Sequence, residues 1–244
     1  MFNGYLCASC KEKINKINGL ICNNCGLPIL EKNDSSAILK DRNKEDDDKI
    51  NNVYLCSYCK NMNFNFYRLR SYGIYEGVLK RVITLFKYDK IYSLADDCVG
   101  FFKQAFDEYY YNEKIDFIET VPDYLEENEP SNSYQCNIIF YNNFSEANHM
   151  QIIAYKLSNL TRIPYSNNII KVLKTCKQQK LNKSERIINL VNAFKVRNPF
   201  IFHNKNILLI DDVWTTGSTL CEISKVLKYN GANKIYLLTL ARGL

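Results

Sequence analysis

Two adjacent carboxylates followed by a run of hydroxyl residues form the most chemically specific stretch of the sequence, ILLIDDVWTTGST at 207–219. The hydroxyl residues surround a glycine where a helix is predicted to begin, so backbone N–H groups and the helix dipole would attract a phosphate group. Carboxylates would repel that phosphate, but they suit the vicinal hydroxyls of a ribose, with a hydrated Mg²⁺ close by. The predicted site consists of Asp211, Asp212, Thr215, Thr216, Gly217, Ser218 and Thr219.

Three other kinds of structure place acidic or hydroxyl residues at the end of a strand. A Walker B strand does so, but the sequence contains no GxxxxGK[ST] loop to accompany it. A response-regulator pocket also uses paired acids, but it has no need of the TTGST run. A helix cap alone explains Thr215 or Ser218, but not the doubled acid beside the hydroxyl cluster. A site for a sugar diol and its 5′-phosphate therefore accounts for the most residues.

A strand, a helix and a second strand must position this loop. Residues 206–210 are predicted to be a strand, 218–229 have helical spacing with Gly231 just past their end, and 234–240 form another strand. Such a βαβ unit implies a parallel sheet with a ligand crevice at the carboxyl ends of its strands. The remaining predicted elements are helices at 74–86, 93–111, 149–160 and 183–194, a strand at 115–122 and a loop at 123–137. The predicted fold class is α/β.

Six of the ten cysteines occur before residue 60 as three CxxC pairs. Two thiolates on one tight turn can chelate the same tetrahedral ion, so the pairs indicate structural zinc knuckles. Redox chemistry and disulfides are weaker interpretations, because a redox CxxC stands alone in a βαβ unit and the expected compartment is reducing. The candidate ligands are Cys7, Cys10, Cys22, Cys25, Cys56 and Cys59.

Three knuckles leave the pairing ambiguous, because one Zn²⁺ ion needs two of them. The short gap between Cys10 and Cys22 favours the first two knuckles. Pairing the second knuckle with the third would instead form a ribbon interrupted by a charge-dense insertion at 31–52, which is predicted to be a mobile loop. The cysteines at positions 98, 136, 176 and 221 lack partners at ligand spacing and are predicted to be small core residues.

Charge is unevenly distributed along the chain. Residues 149–244 carry 15 Lys and Arg against 4 Asp and Glu, a net +11, whereas residues 107–148 carry 1 against 10, a net −9. A basic block suits a polyanionic ligand such as a sugar phosphate or a nucleic acid, and it is equally compatible with a solvated face. Since neither a signal peptide nor an apolar run of about 18 residues is present, we expect a soluble cytosolic protein without a transmembrane segment.

The stretch at 207–219 resembles the 5-phosphoribosyl-1-pyrophosphate (PRPP) signature of type I phosphoribosyltransferases. Over nearly its whole length the chain resembles the ComF family of competence-associated proteins, which join N-terminal zinc knuckles to such a domain. The other matching segments, in the order of the family, are CNNCGLPI, the CxxC at 56–59, YEGVLKRVITLFKYDK, Val121-Pro122, the series Gln178, Leu181, Arg186, Asn189, Ala193 and Phe194, and GANKIYLLTLARG.

This resemblance implies a zinc-binding module at 1–66 and a phosphoribosyltransferase-like domain at 67–244. By resemblance, Asp211 and Asp212 would hold the ribose hydroxyls of PRPP, Thr215 to Thr219 would hold its 5′-phosphate, and Mg²⁺ would accompany the ligand. The family also implies a role in DNA uptake and natural transformation, with single-stranded DNA and DNA-uptake proteins as partners.

Two departures from the family pattern support an alternative function. The segment after Val121-Pro122 is acidic where the family has a basic one that ends in Arg-Gly-Phe-Asn-Gln, and only Gln151 is retained. An expected Arg-x-Arg pair is replaced by Lys171 and Leu173, with Lys174 adjacent. The alternative to a PRPP-binding transferase is therefore a non-catalytic competence factor that binds single-stranded DNA and has a degenerate pyrophosphate site.

Overall fold

The computed structural model describes residues 4–29, 38–39, 53–124, 148–174 and 190–244. Its helices are α1 (Ala8–Glu12), α2 (Ser57–Lys60), α3 (Gly77–Lys87), α4 (Ala95–Tyr109), α5 (His149–Thr161) and α6 (Ser218–Tyr229). Its strands are β1 (Ile38–Leu39), β2 (Val53–Tyr54), β3 (Arg68–Ile74), β4 (Phe117–Thr120), β5 (Ile169–Lys171), β6 (Phe194–Val196), β7 (Ile207–Trp214) and β8 (Ile235–Arg242). Two 3₁₀ turns lie at Tyr92–Leu94 and Pro199–Phe202.

The central sheet contains four strands in the order β3-β8-β7-β4, and each neighbouring pair is parallel. All eight residues of β8 are buried, which is the pattern of an interior strand covered on both faces. Parallel strands end at the same edge of a sheet, so the acidic end of β7 and the end of β4 meet there. The predicted α/β fold with a parallel sheet and flanking helices is confirmed.

Alternate residues of β7 pack into two separate cores. Leu208 and Ile210 belong to a core formed with α3, α4 and α5, whereas Ile207 and Leu209 belong to a core that includes α6 and the second and third cysteine pairs. The cysteine-rich segment therefore packs on the face of the sheet that also carries α6. The division of the chain at residue 66 into two domains stays a prediction.

Two element boundaries near the site differ from those predicted. The helix predicted at 74–86 begins at Gly77, because Ile74 is the last residue of β3, a strand that was not predicted. The sequence RLRSYGI lacks the apolar pattern of a buried strand, because Arg70 and Ser71 are polar although they are buried. The strand predicted at 206–210 continues to Trp214 through both aspartates, because β8 pairs with it along this length.

The helix predicted at 149–160 is α5, and its start is held by a capping box. The Asn148 side chain accepts a hydrogen bond from the backbone N–H of Met150 at 2.8 Å, and Gln151 Oε1 accepts one from the backbone N–H of Asn148 at 3.1 Å. The helix predicted at 183–194 is overturned at its end, where Phe194 begins β6. Most of that segment, most of the loop at 123–137 and most of the insertion at 31–52 lie outside the described residues.

Candidate functional site

A cavity of about 740 Å³ opens at the carboxyl ends of β7 and β4, which is a suitable size for a small organic ligand. All seven residues predicted for the sugar-phosphate site line it. Tyr75, Ile83, Lys87, Tyr88, Val121, Pro122, Asp123, Lys171, Leu190, Phe194, Val213 and Leu220 complete the lining. The described structure thus brings the two carboxylates predicted to bind ribose hydroxyls and the hydroxyl loop predicted to bind phosphate into one concave site.

The hydroxyl loop leads directly into α6. Gly217 is the N-cap residue of this helix and has a φ of +74°, in the left-handed region that side chains disfavour. A Cβ atom on Gly217 would lie 2.2 Å from the ring of Trp214, so both the backbone conformation and the packing require glycine. The hydroxyls of Thr216 and Ser218 lie 2.9 Å apart, which places two donors at the helix N-terminus where an anion binds favourably.

The two aspartates occupy different electrostatic environments. Burial and the neighbouring negative charge of Asp212 raise the pKa of Asp211 to about 7. Burial would also raise the pKa of Asp212, but its hydrogen bond with His149 and the charge of Lys87 outweigh that effect and lower it to about 2. Asp212 is therefore ionised at neutral pH, whereas Asp211 titrates near it.

Sequence reasoning missed two residues that lie beside the Asp212 carboxylate. Lys87 Nζ lies 2.5 Å from Oδ2 of Asp212, and the Asp212 and Asp211 carboxylates raise the pKa of Lys87 despite its burial. Nε2 of His149 lies 3.1 Å from the same oxygen. Lys87 ends an amphipathic helix and His149 begins another, so each reads as an ordinary exposed polar position, and no local pattern links either to residue 212.

Lys171 on β5 supplies a second cation to the cavity lining, and burial lowers the pKa of its amine. It is one of the residues that stand where the family pattern has Arg-x-Arg. Lys174 and Leu173 follow it on the described chain but are not part of the lining. The matching positions Gln178, Leu181, Arg186 and Asn189 lie outside the described residues.

Four cysteines converge on the opposite face of the sheet from α4. The sulfur atoms of Cys22, Cys25, Cys56 and Cys59 all lie within 4.8 Å of one another, and all four residues are buried. Zn–S bonds of about 2.3 Å in a tetrahedron place the sulfurs about 3.8 Å apart. The Cys25 and Cys56 sulfurs are 3.8 Å apart, and the backbone N–H of Cys56 donates to the Cys22 sulfur at 3.4 Å. The cluster can therefore hold a metal such as Zn²⁺.

The structure pairs the second CxxC, at Cys22 and Cys25, with the third, at Cys56 and Cys59. This is the pairing of the zinc ribbon interrupted by the insertion at 31–52, and the pairing of the first two CxxC motifs is not observed. The other predicted ligands, Cys7 and Cys10, lie at the start of α1 and are not part of the cluster. Hydrogen bonds from the backbone and side chain of Cys10 lower the pKa of Cys7, whose side chain is exposed. Cys98 is buried in the core and Cys221 is half-buried, whereas Cys136 and Cys176 lie outside the described residues.

Within the described ranges, no helix is both long enough and apolar enough to cross a membrane.

The chain is similar to proteins named for competence and DNA utilization. It is 41% identical over 99 residues to competence protein F of Haemophilus influenzae, covering 39% of this chain and 42% of that protein. It is 38% identical over 79 residues to DNA utilization protein YhgH of Salmonella typhi, covering 32% of this chain and 34% of that protein. The match thus spans less than half of each relative. No family model matches the chain. The relatives confirm the resemblance to competence proteins.

Two solved structures show a distant likeness. One is described as the allosteric regulatory enzyme of purine biosynthesis, with a TM-score of 0.38, 15% identity and coverage of 60% of this chain and 26% of that one. The other is adenine phosphoribosyltransferase from Saccharomyces cerevisiae, with a TM-score of 0.37, 14% identity and coverage of 64% and 72%.

Proposed function

We propose that this protein binds a ribose 5-phosphate ligand, PRPP in the first instance, together with Mg²⁺. The observation that carries the proposal is that one cavity of about 740 Å³ is lined by all seven residues predicted for such a ligand. The α6 N-terminus and the hydroxyls of Thr216 and Ser218 would hold the 5′-phosphate. Asp211 and Asp212 would accept hydrogen bonds from the ribose hydroxyls, and Mg²⁺ would offset the charge that the carboxylates and the ligand bring together.

The pyrophosphate group at C1 of PRPP would be bound most favourably by positively charged side chains. The segment after Pro122 is acidic and does not provide them. Lys87 and Lys171 are the two cations in the described lining of the cavity. Lys87 lies against Asp212, so it would face the ribose at the end away from the 5′-phosphate. We therefore propose that Lys87 helps the site to favour PRPP over ribose 5-phosphate. Transfer of the phosphoribosyl group would further require an acceptor nucleophile and release of pyrophosphate.

Calorimetric titration of the full chain with PRPP and with ribose 5-phosphate, in the presence of Mg²⁺, tests the binding. We expect the Asp211→Asn/Asp212→Asn variant to bind each ligand about tenfold or more weakly, because hydrogen bonds to charged acceptors are among the strong ones. Asp107→Asn is the matched control, since Asp107 lies on α4 and pairs with Lys103 at 2.6 Å. Equal affinities for wild type and the double variant would contradict the proposal. Pyrophosphate release with candidate bases reports on transfer.

A second candidate function is the handling of single-stranded DNA during DNA uptake. The names of the relatives suggest this process. At the amino-terminal end of the sheet, Lys234 Nζ lies 4.5 Å from the centre of the Tyr67 ring, and that tyrosine is half exposed. Arg68 also lies over this ring, at 5.7 Å from its centre, so an exposed aromatic side chain and two cations share one surface. Positive charge beside aromatic side chains is typical of surfaces that bind single-stranded nucleic acid.

Salt dependence separates the two functions. If the surface at Tyr67 and Lys234 binds single-stranded DNA, the affinity of the protein for a fluorescent oligothymidine should fall steeply as salt rises, because condensed counterions are released on binding. A Tyr67→Ala/Lys234→Ala variant should bind the oligonucleotide more weakly but retain its affinity for ribose 5-phosphate. Oligonucleotide affinity that is insensitive to both salt and these substitutions would exclude this surface.

A further inference from the structure

We infer that the four-cysteine metal site supports the phosphate-binding loop, with Trp214 and Arg242 as positioning residues that link the two. The inference rests on the proposed function of the loop. It assigns to the cysteine cluster a role in the shape of the ligand site on the same side of the sheet. The link consists of two separate sets of contacts, one aromatic and one polar.

The aromatic link begins at the loop itself. Trp214 is the last residue of β7 and is only 4% exposed, and its ring fills the space beside Gly217. The nearest ring atoms lie 2.2 Å from where a Cβ atom of Gly217 would be, so the ring and the loop backbone are in direct contact. A shift of this ring therefore changes the support of the left-handed turn from which the phosphate-binding helix starts.

From Trp214 a chain of aromatic rings leads to the third cysteine knuckle. The rings of Trp214 and Phe66 are 5.9 Å apart and nearly perpendicular, and those of Phe66 and Phe64 are 4.7 Å apart. The chain ends at Tyr58, 6.0 Å from Phe64, on the short helix α2 that carries Cys59. These separations are typical of favourable aromatic pairs. Movement of the knuckle would thus be transmitted to Trp214 through packed side chains.

The polar link runs through Arg242, which pairs directly with Trp214 in the β7–β8 register. Its guanidinium donates a hydrogen bond to the carbonyl oxygen of Cys25, and Nη2 lies 3.4 Å from the sulfur of the same residue. The side chain of Arg70 likewise donates to the carbonyl oxygen of Asn23 at 3.1 Å. Both arginines are 7% exposed.

Charge explains why the metal matters to this link. A Zn²⁺ ion with four thiolates carries two negative charges, and two buried guanidinium groups lie against the knuckle that would hold it. Buried charges are tolerated when they are paired and hydrogen-bonded. Loss of the metal complex removes the counter-charge of Arg242, and Arg242 is the strand neighbour of Trp214. Loss of the metal should therefore change the packing of Trp214 and, with it, the conformation of the loop.

The chain contains one tryptophan, so its fluorescence reports on Trp214 alone. We expect removal of Zn²⁺ from the full chain by a chelator to shift the emission to longer wavelength and to weaken binding of ribose 5-phosphate about tenfold, with both effects reversed by added Zn²⁺. A metal-free protein that remains folded by circular dichroism, with unchanged emission and unchanged affinity, would overturn the inference.

A second variant tests the link while the metal stays bound. Phe66→Leu removes the central ring of the aromatic chain, and it replaces neither a cysteine nor a residue of the cavity lining. It should weaken ribose 5-phosphate binding while the zinc content stays unchanged. Phe200→Leu is the control, because Phe200 is 85% exposed. Equal affinity in Phe66→Leu and wild type, with one zinc in each, would also overturn the inference. If wild type binds no ribose 5-phosphate, the proposed function fails, and the emission shift on metal removal still tests the coupling.

Discussion

The ammonium nitrogen of Lys87 lies 2.5 Å from Oδ2 of Asp212, and the two residues are 125 positions apart in the chain. α3 delivers the lysine and β7 delivers the aspartate to the same edge of the sheet. The Asp212 side chain is 7% exposed and that of Lys87 is 35% exposed, so the pair is partly shielded from water. This contact places a cation where the sequence indicated only carboxylates and hydroxyls.

The first prediction concerns that cation. Lys87→Met should reduce affinity for PRPP more than affinity for ribose 5-phosphate, because only PRPP carries the anionic group at C1. Unfolding free energy should fall by about 1–2 kcal/mol, since Asp212 loses a partner that solvent only partly replaces. Calorimetry with both ligands and chemical denaturation measure these effects. Arg81→Met on the same helix should change neither affinity, because Arg81 is exposed and is not part of the cavity lining. An equal loss for both ligands in Lys87→Met would argue against a role in ligand preference.

The second prediction concerns pH. The pKa of Asp211 is raised to about 7 in the folded state, so the native protein binds a proton that the unfolded chain releases near pH 4. Stability should therefore fall as pH rises from about 4 to about 7, by on the order of 1 kcal/mol or more. Asp211→Asn should make this fall smaller in urea denaturation without Mg²⁺, and Glu119, whose pKa burial raises to about 8, should account for a remaining fall in the variant. A variant profile parallel to that of wild type would show that Asp211 titrates normally.

The third prediction concerns the glycine of the loop. Gly217→Ala should destabilise the protein by about 1–3 kcal/mol and abolish detectable ribose 5-phosphate binding, because a Cβ atom meets the Trp214 ring and φ is +74°. Gly100→Ala provides the control, since nothing lies within 4 Å of its added Cβ. That substitution lies inside α4 and should stabilise the protein by about 0.5–1 kcal/mol. Thermal unfolding and calorimetry distinguish the two variants.

The fourth prediction concerns the metal ligands. Cys22→Ser should lose bound zinc and lower the unfolding temperature, because Cys22 is one of four buried sulfurs that lie within 4.8 Å of one another. Cys7→Ser should keep one zinc per chain, since Cys7 is exposed and lies outside that cluster. Elemental analysis of the purified variants measures the zinc content. Loss of the metal in both variants would assign Cys7 to the same site.

The fold could be predicted where the signal is local. The strand before the loop, the helix that follows it and the final strand carry their apolar periodicity within a few residues, and the structure has all three elements. β3 was missed because Arg70 and Ser71 interrupt its apolar pattern. Arg70 is satisfied by backbone carbonyls of the cysteine knuckle, and Ser71 by the hydroxyl of Thr239 at 2.6 Å. Those partners come from other parts of the chain and leave no trace in the local pattern.

The sequence by itself indicated the residues of the predicted sugar-phosphate loop and the cysteine pairs, because each group depends on neighbours a few positions apart. Only the tertiary structure decided which cysteine pairs share a site, that Lys87 and His149 lie beside Asp212, and that Trp214 packs against both Gly217 of the loop and Phe66. The physical reason is that a parallel sheet gathers strand ends and helix ends that are distant in the chain. The contacts of Lys87, His149 and Arg242 are of this kind, and packing geometry specifies them.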